Sequence, residues 1–446
     1  MTLQQMANAR RTSIVPYTPS PPFTPTAPRL FLPIQPHPTI SHSPHLPSPP
    51  RQTIHAAYAL TTHLIPAAFP RSAPDAPLPV TPPSTPDRVA ILVRELMERQ
   101  GCFVQGELSG SHGRKLLWNC VNRYVRTDNH HISGSGLSLF LAHAIGCPKE
   151  VWETMLRNLF GSPAAPLIDE VWSWEAVNHG DSALVNAENL SGISLVDWQD
   201  NARDIANFLL NYLPDDTTLA SLPTRLDRVP ESTSNARKER GYSKRRLVVV
   251  GHSFGGTTSI LAALNFPKLF SSLILVDPVI TEHVENFVRL LSKVAVGALT
   301  KRNTWSSREE ALRLFKKSPF FASWHPEVLE LYVNYGLTAD SGNGVRLKTT
   351  PIQECLTLIN SHDIKEVWEL LEKLDGNITL RWVVPLPGLL DEEQTRIGVW
   401  RRPANTSNVI FPFAGHLLVQ EAPVELAHDI AKFLLGKYGS RTKARL

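Results

Sequence analysis

The chain of 446 residues has only four cysteines, Cys102, Cys120, Cys147 and Cys355, and none forms a C-x-x-C pair. That spacing excludes a disulfide framework and reads as reduced thiols in an intracellular protein. No apolar run approaches the roughly 18 residues needed to span a bilayer. There is no His/Cys/Asp cluster with metal-ligand spacing, no G-x-G-x-x-G and no P-loop, so neither a metal nor an organic cofactor is expected. The formal charge of +4 is small and scattered, which argues against nucleic acid as the main partner. Acidic residues are absent before Asp75, whereas Arg10, Arg11, Arg29, Arg51 and Arg71 are present. This balance faintly resembles an organelle transit peptide, but the prolines around it prevent the amphipathic helix such a peptide needs.

Proline is abundant where charge is not. More than half of the 37 prolines fall in residues 1–86, with Pro-Ser-Pro-Pro at 19 to 22 and again at 47 to 50. A segment so poor in backbone donors is expected to be extended or disordered and to bury no core. From 87 onward the pattern changes. Arg88 to Gln100 carries a helical stripe, and Leu137 to Ala142 is a short apolar strand. Glu150 to Phe160 reads as a helix, Ile168 to Trp172 as a strand, and Asp197 to Leu213 as an amphipathic helix. The polar, basic stretch 214–245 reads as a flexible surface loop. Leu273 to Val276 is a strand, 282–375 is mostly helical, and Ile378 to Val384 is another strand. Val409-Ile410-Phe411 and a helix over Val424 to Leu435 close the domain at about 440. Strands alternating with helices predict a mainly parallel sheet covered on both faces. The long helical block after the sixth strand is the natural place for a cap.

Val248-Val249-Val250-Gly251-His252-Ser253-Phe254-Gly255-Gly256 joins a β-branched run to a helix through a serine. A serine hydroxyl becomes a useful nucleophile when a tight turn lifts it out of the core, and the flanking glycines let strand and helix nearly touch. Such a serine needs a base, and the base needs an orienting acid. Of sixteen histidines, His416 stands out: it follows the last strand-like run, in Ala-Gly-His-Leu, ahead of a terminal helix. His252 is adjacent in sequence but points elsewhere on a tight turn, and is read as packing. Asp277, at the end of the strand after the serine helix, is the first choice of acid; Asp391, beyond the later strand, is the alternative. Two donors are needed for an oxyanion: the backbone N–H of Phe254 and one from the loop after His143, with Ile145 ahead of Gly146 and Cys147.

Together these residues resemble the α/β-hydrolase superfamily over roughly 118 to 440. His143-Ala-Ile-Gly-Cys-Pro-Lys-Glu150, His179-Gly-Asp-Ser182, the run Leu269 to Ile280 and the run Trp324 to Gly336 are similar to a fungal group. That group includes peroxisomal lipase-like hydrolases and hydrolases of host-selective toxin biosynthesis. The resemblance implies an α/β-hydrolase fold, an acid on the strand ending in Asp277-Pro-Val-Ile, and a small-molecule acyl ester or thioester as substrate, in fatty-acid or secondary metabolism. It also implies a shorter N-terminus and a shorter 214–245 loop than this chain has. Trp305, Phe315, Phe320, Phe321, Trp324 and Tyr332 could line an acyl site or simply fill the cap's core. Acyl transfer by the same residues, and a binding protein with an unused site, are the alternatives to hydrolysis. The last residues, Ala444-Arg445-Leu446, fit a type 1 peroxisomal signal read by an import receptor, with a cytoplasmic location as the alternative.

Overall fold

The computed structural model describes residues 13–15, 29–38, 40, 43–73, 85–108, 115–128, 136–190, 195–217, 221–282 and 284–439. The Pro-Ser-Pro-Pro at 19 to 22 and the tripeptide Ala444-Arg445-Leu446 lie outside them. In chain order the central strands are β1 (Tyr58–Pro66), β2 (Trp118–Arg126), β3 (Leu137–Ala142), β4 (Ile168–Trp174), β5 (Arg246–His252) and β6 (Ser272–Val276). A three-stranded set follows, β7 (Thr304–Trp305), β8 (Leu337–Asp340) and β9 (Gly344–Leu347), and then β10 (Thr379–Pro385) and β11 (Thr406–Phe411). The main sheet runs β1-β2-β4-β3-β5-β6-β10-β11. Strand β2 is antiparallel to β1 and β4; from β4 to β11 every pairing is parallel.

The middle of this sheet is dictated by Leu247-Val248-Val249-Val250, which has no polar face to show to water. Side chains alternate across a strand. Val248 and Val250 pack on one side with the helices Glu153–Phe160 and Pro423–Tyr438. Leu247 and Val249 pack on the other with Trp198–Asn207 and Phe254–Asn265. Both faces are covered, as the sequence predicts.

Four features depart from, or add to, what the sequence predicts. First, the proline-rich N-terminus is not without structure: Tyr58–Pro66 is the edge strand β1, with Leu64 and Ile65 fully buried. Proline is tolerated at an edge, because one row of ladder donors there goes unused. The sheet domain therefore begins before 87. Second, the helix Pro86–Val104 docks against the cap: Val89, Leu92, Val93 and Leu96 pack on Ala295, Leu299, Cys355 and Leu356. Third, 214–245 contains a helix, Glu231–Arg240, whose Arg237 is buried and donates to the carbonyls of Leu209, Leu210 and Leu213. Those carbonyls lie in and beside the π-helical turn Phe208–Tyr212, whose looser ladder leaves acceptors for a guanidinium. Fourth, Trp198–Asn207 has no solvent face at all; every residue in it is buried. Its polar side is covered by the N-terminal arm, where Arg71 pairs with Asp200 and Asp204.

The cap is inserted after β6 and is mostly helical, with the antiparallel sheet β7-β9-β8 set into it. Strands of two to four residues are too short to show a period in sequence.

Candidate active site

The serine turn is tight because three glycines permit it. A Cβ on Gly251 would lie 2.5 Å from the Cα of Gly256, and one on Gly255 would lie 2.3 Å from the carbonyl oxygen of Ala142. Strand, turn and helix thus meet in van der Waals contact. Ser253 between them holds φ 54° and ψ −121°, an unusual conformation for a residue with a side chain. Its N–H donates to the carbonyl of Val276 at 3.0 Å, which ties the turn to the end of the neighbouring strand.

Asp277 follows Val276 directly, itself at φ 39°, and its N–H donates to Val383 of β10 at 2.9 Å. Because β5 and β6 pair with His252 opposite Val276, the residues after them emerge side by side. His416 arrives from the loop after β11. Its Nδ1–H donates to Oδ2 of Asp277 at 2.7 Å, and its Nε2 accepts from Oγ of Ser253 at 2.9 Å. The carboxylate can only accept, which fixes the tautomer and leaves Nε2 free to take a proton. Asp391 is elsewhere: it is exposed and caps the helix Glu392–Trp400 by accepting from the N–H of Gln394 at 2.8 Å.

The loop carrying His416 is held from two sides. His252, read from sequence as packing, donates from Nε2 to the carbonyl of His416 at 2.8 Å. Burial, with the neighbouring His416, lowers its pKa to about 3, so it is neutral. Glu421 accepts from the N–H of Gly415 at 2.5 Å. Neither contact has a signal in the sequence, since both depend on how the loop folds back.

His143 follows β3 and is fully buried, and burial lowers its pKa to about 4. Its Nδ1–H donates to the Ala144 carbonyl at 2.7 Å, and its Nε2 accepts from the Ala176 N–H at 3.1 Å. It braces the turn Ile145–Gly146, where Gly146 takes φ 79°. Phe254 is the first residue of the serine helix, so its N–H has no partner within the helix. Its ring is wedged among His143, His179 and Trp198.

Ser253, His416, Ile145 and Gly146 all line one cavity of about 820 Å³ beneath the cap. That volume is at the upper end for small-molecule sites. Trp305, Phe315, Phe320, Phe321, Trp324 and Tyr332 line it as well, and four of them also belong to the buried core, so the two readings of these aromatics coincide. Leu290, Leu291 and Val294 on the helix Val284–Thr300, and Trp198, also line the cavity, and none of them carries a signal in the sequence. Among the described residues, no cluster of His, Cys, Asp and Glu could hold a metal ion.

Residues 139–429 match the family model described as the alpha/beta hydrolase family. The type I acyl-CoA thioesterase mpaH of Penicillium brevicompactum is 24% identical over 283 residues, covering 54% of this chain and 56% of that protein. The chain thus spans only about half the length of that relative. The peroxisomal membrane protein LPX1 of Saccharomyces cerevisiae is 25% identical over 331 residues, covering 67% and 76%. An abhydrolase domain-containing protein of Alternaria alternata, AFT2-1, is 30% identical over 223 residues, covering 42% and 82%. The solved structure of the peroxisomal alpha-beta-hydrolase Lpx1 from Saccharomyces cerevisiae aligns with a TM-score of 0.60 at 20% identity. It covers 86% of this chain and 91% of that one, a likeness of fold. With sheet order, serine turn and family match in agreement, the chain belongs to the alpha/beta hydrolase family.

Proposed function

We propose that the protein is a serine hydrolase that cleaves the ester or thioester of an apolar acyl group through an acyl-enzyme. The observation that carries this reading is the unbroken hydrogen-bonded line from Ser253 through His416 to Asp277, opening on a large cavity under the cap. Ser253 Oγ attacks the carbonyl carbon while its proton passes to His416 Nε2. Asp277 holds the ring and stabilises its charged form. The N–H groups of Phe254 and Ile145 receive the oxyanion, and the start of the serine helix favours negative charge there. The C–S or C–O bond then breaks, and the leaving group takes the proton from Nε2. Water attacks the acyl-serine and gives its proton to the same nitrogen; the acid departs and Ser253 is restored.

One line supports a thioester among the substrates: the relative from Penicillium brevicompactum is named an acyl-CoA thioesterase. The cavity of about 820 Å³ leaves room for the acyl chain of either kind of substrate. For location, Ala444-Arg445-Leu446 and the peroxisomal naming of the Saccharomyces cerevisiae relative support a peroxisomal protein. Thiol release from octanoyl thioesters and alcohol release from octanoyl esters test the activity. Turnover by the protein and none by Ser253→Ala is expected. A folded protein with no Ser253-dependent turnover on either would overturn the reading. Deleting Ala444 to Leu446 should free a tagged protein from peroxisomes.

A further inference from the structure

Most of the cavity wall is hydrocarbon, yet four charged residues line it: Arg302, which pairs with Glu310, Glu421, which accepts from the Gly415 N–H, and the pair Lys301 and Glu354. Lys301, just past the helix Val284–Thr300, forms an ion pair with Glu354 on the helix Pro351–Leu358, and both line the cavity. Their side chains keep 31% and 15% of their exposure. The pair stands beside the oxyanion turn: a Cβ on Gly146 would lie 3.2 Å from the carboxyl group of Glu354. Gly146 directly follows Ile145, so the charges neighbour the carbonyl end of an acyl group held by that turn. The field of Glu354 reaches the adjoining wall. Burial raises the Cys147 thiol to about 12 and the Tyr332 phenol well above its usual range, and in both the Glu354 carboxylate adds to the rise.

An ion pair in this position is costly to cover with hydrocarbon. A plain alkyl chain would displace water from the ammonium and the carboxylate without replacing its hydrogen bonds. An oxygen substituent on the chain would replace them. The ammonium has three donors and the carboxylate about four acceptor sites, more than one ion pair uses. A hydroxyl can satisfy either partner, and a keto oxygen can accept from Lys301.

We infer that the Lys301–Glu354 pair is a specificity site, selecting acyl groups with a hydroxyl or keto oxygen near the reacting carbonyl over unsubstituted chains. This rests on the hydrolase reading above. A purely structural brace between two cap helices would instead affect all substrates alike.

The test compares kcat/KM for the octanoyl and β-hydroxyoctanoyl thioesters of N-acetylcysteamine. The protein should favour the hydroxylated chain by at least about tenfold, as expected when a site's polar groups go unpaired with the wrong substrate. In Lys301→Met/Glu354→Leu the preference should vanish or reverse, chiefly through KM for the hydroxylated chain. The charge-swapped Lys301→Glu/Glu354→Lys should recover part of it. A wild-type protein with no preference, or variants that lower both substrates by one common factor, would overturn the inference. If neither thioester shows Ser253-dependent turnover, the hydrolase reading fails first. Calorimetric binding of β-hydroxyoctanoate against octanoate then decides on the pair: tighter binding of the hydroxy acid, lost in Lys301→Met/Glu354→Leu, supports it, and equal binding overturns it.

Discussion

The imidazole of His252 donates from Nε2 to the backbone carbonyl of His416, 2.8 Å away, so the residue before the serine holds the loop that carries His416. Removing the donor frees that loop. His252→Ala should lower kcat about tenfold with KM little changed, because a small misplacement of a catalytic group costs rate before it costs binding. His252→Gln, which keeps an N–H donor, should recover part of the loss. Steady-state kinetics check this, and an unchanged kcat in His252→Ala would remove the positioning role. The acid limb of the pH–rate profile should not move in His252→Gln, since His252 itself stays neutral down to about pH 3.

Two glycines of the turn, Gly255 and Gly256, should differ in tolerance. A Cβ on Gly255 would sit 2.3 Å from the Ala142 oxygen and 2.7 Å from the His143 oxygen, both backbone atoms that cannot swing away. On Gly256 the nearest contacts are 3.0 Å, to the Gly251 oxygen and a proline side-chain carbon. Gly255→Ala should therefore cost at least about 3 kcal/mol, and Gly256→Ala nearer 1 kcal/mol. Urea midpoints for the two variants check the order, which is the substance of the prediction.

Four buried imidazoles make the fold sensitive to acid. Burial lowers His63 and His143 to about 4, His252 to about 3 and His179 well below its usual range, from 6.5. Between those values and 6.5 the unfolded chain binds protons that the folded chain does not, so stability falls as pH drops through that window. Burial raises Glu175 from 4.5 to about 7, which works in the opposite direction over 4.5 to 7 and offsets one imidazole. The net should be a loss on acidification from pH 6.5 toward 4. His63 lies far from the serine, between Thr61 and the Pro223 carbonyl. His63→Gln should flatten the pH dependence by about 3 kcal/mol across that interval. Urea unfolding as a function of pH measures the slope.

The N-terminal arm should be necessary for stability although its sequence reads as disordered. Arg29 pairs with Asp197, Asp363 and Glu366. Burial opposes its charge, but the three carboxylates more than offset this and raise its pKa. Arg29→Met leaves those carboxylates buried with no guanidinium among them, at a cost of roughly 3 kcal/mol. An unchanged unfolding midpoint in Arg29→Met would show that the arm does not brace the fold.

What the sequence revealed depended on the range over which the information is stored. The serine turn is local: Gly251, Ser253 and Gly255 state its geometry within a few residues. The strands from β3 to β6 were legible because they are short apolar runs, β-branched in β5, that are too short for buried helices. That His416 and Asp277 would meet Ser253 was legible through their positions after strand ends. The arm was misread because its order comes from distant partners: Arg29 from Asp197, and Arg51 from Glu153. Arg237 falls in the stretch 214–245, read as a flexible surface loop, whereas its guanidinium fills acceptors in and beside the π-helical turn Phe208–Tyr212. The bond from His252 to the His416 carbonyl was not legible for the same reason, its partner being 164 residues away.

The most direct test of the central claim is the rate at which a fluorophosphonate labels Ser253 in the protein, in Asp277→Asn and in Asp391→Asn, with the labelled peptide mapped. The relay from Asp277 through His416 to Ser253 predicts labelling at Ser253, slowed by roughly a thousandfold or more in Asp277→Asn. It also predicts a wild-type rate in Asp391→Asn, because asparagine caps a helix about as well as aspartate. Label on another residue, or slow labelling in Asp391→Asn with a normal rate in Asp277→Asn, would contradict it.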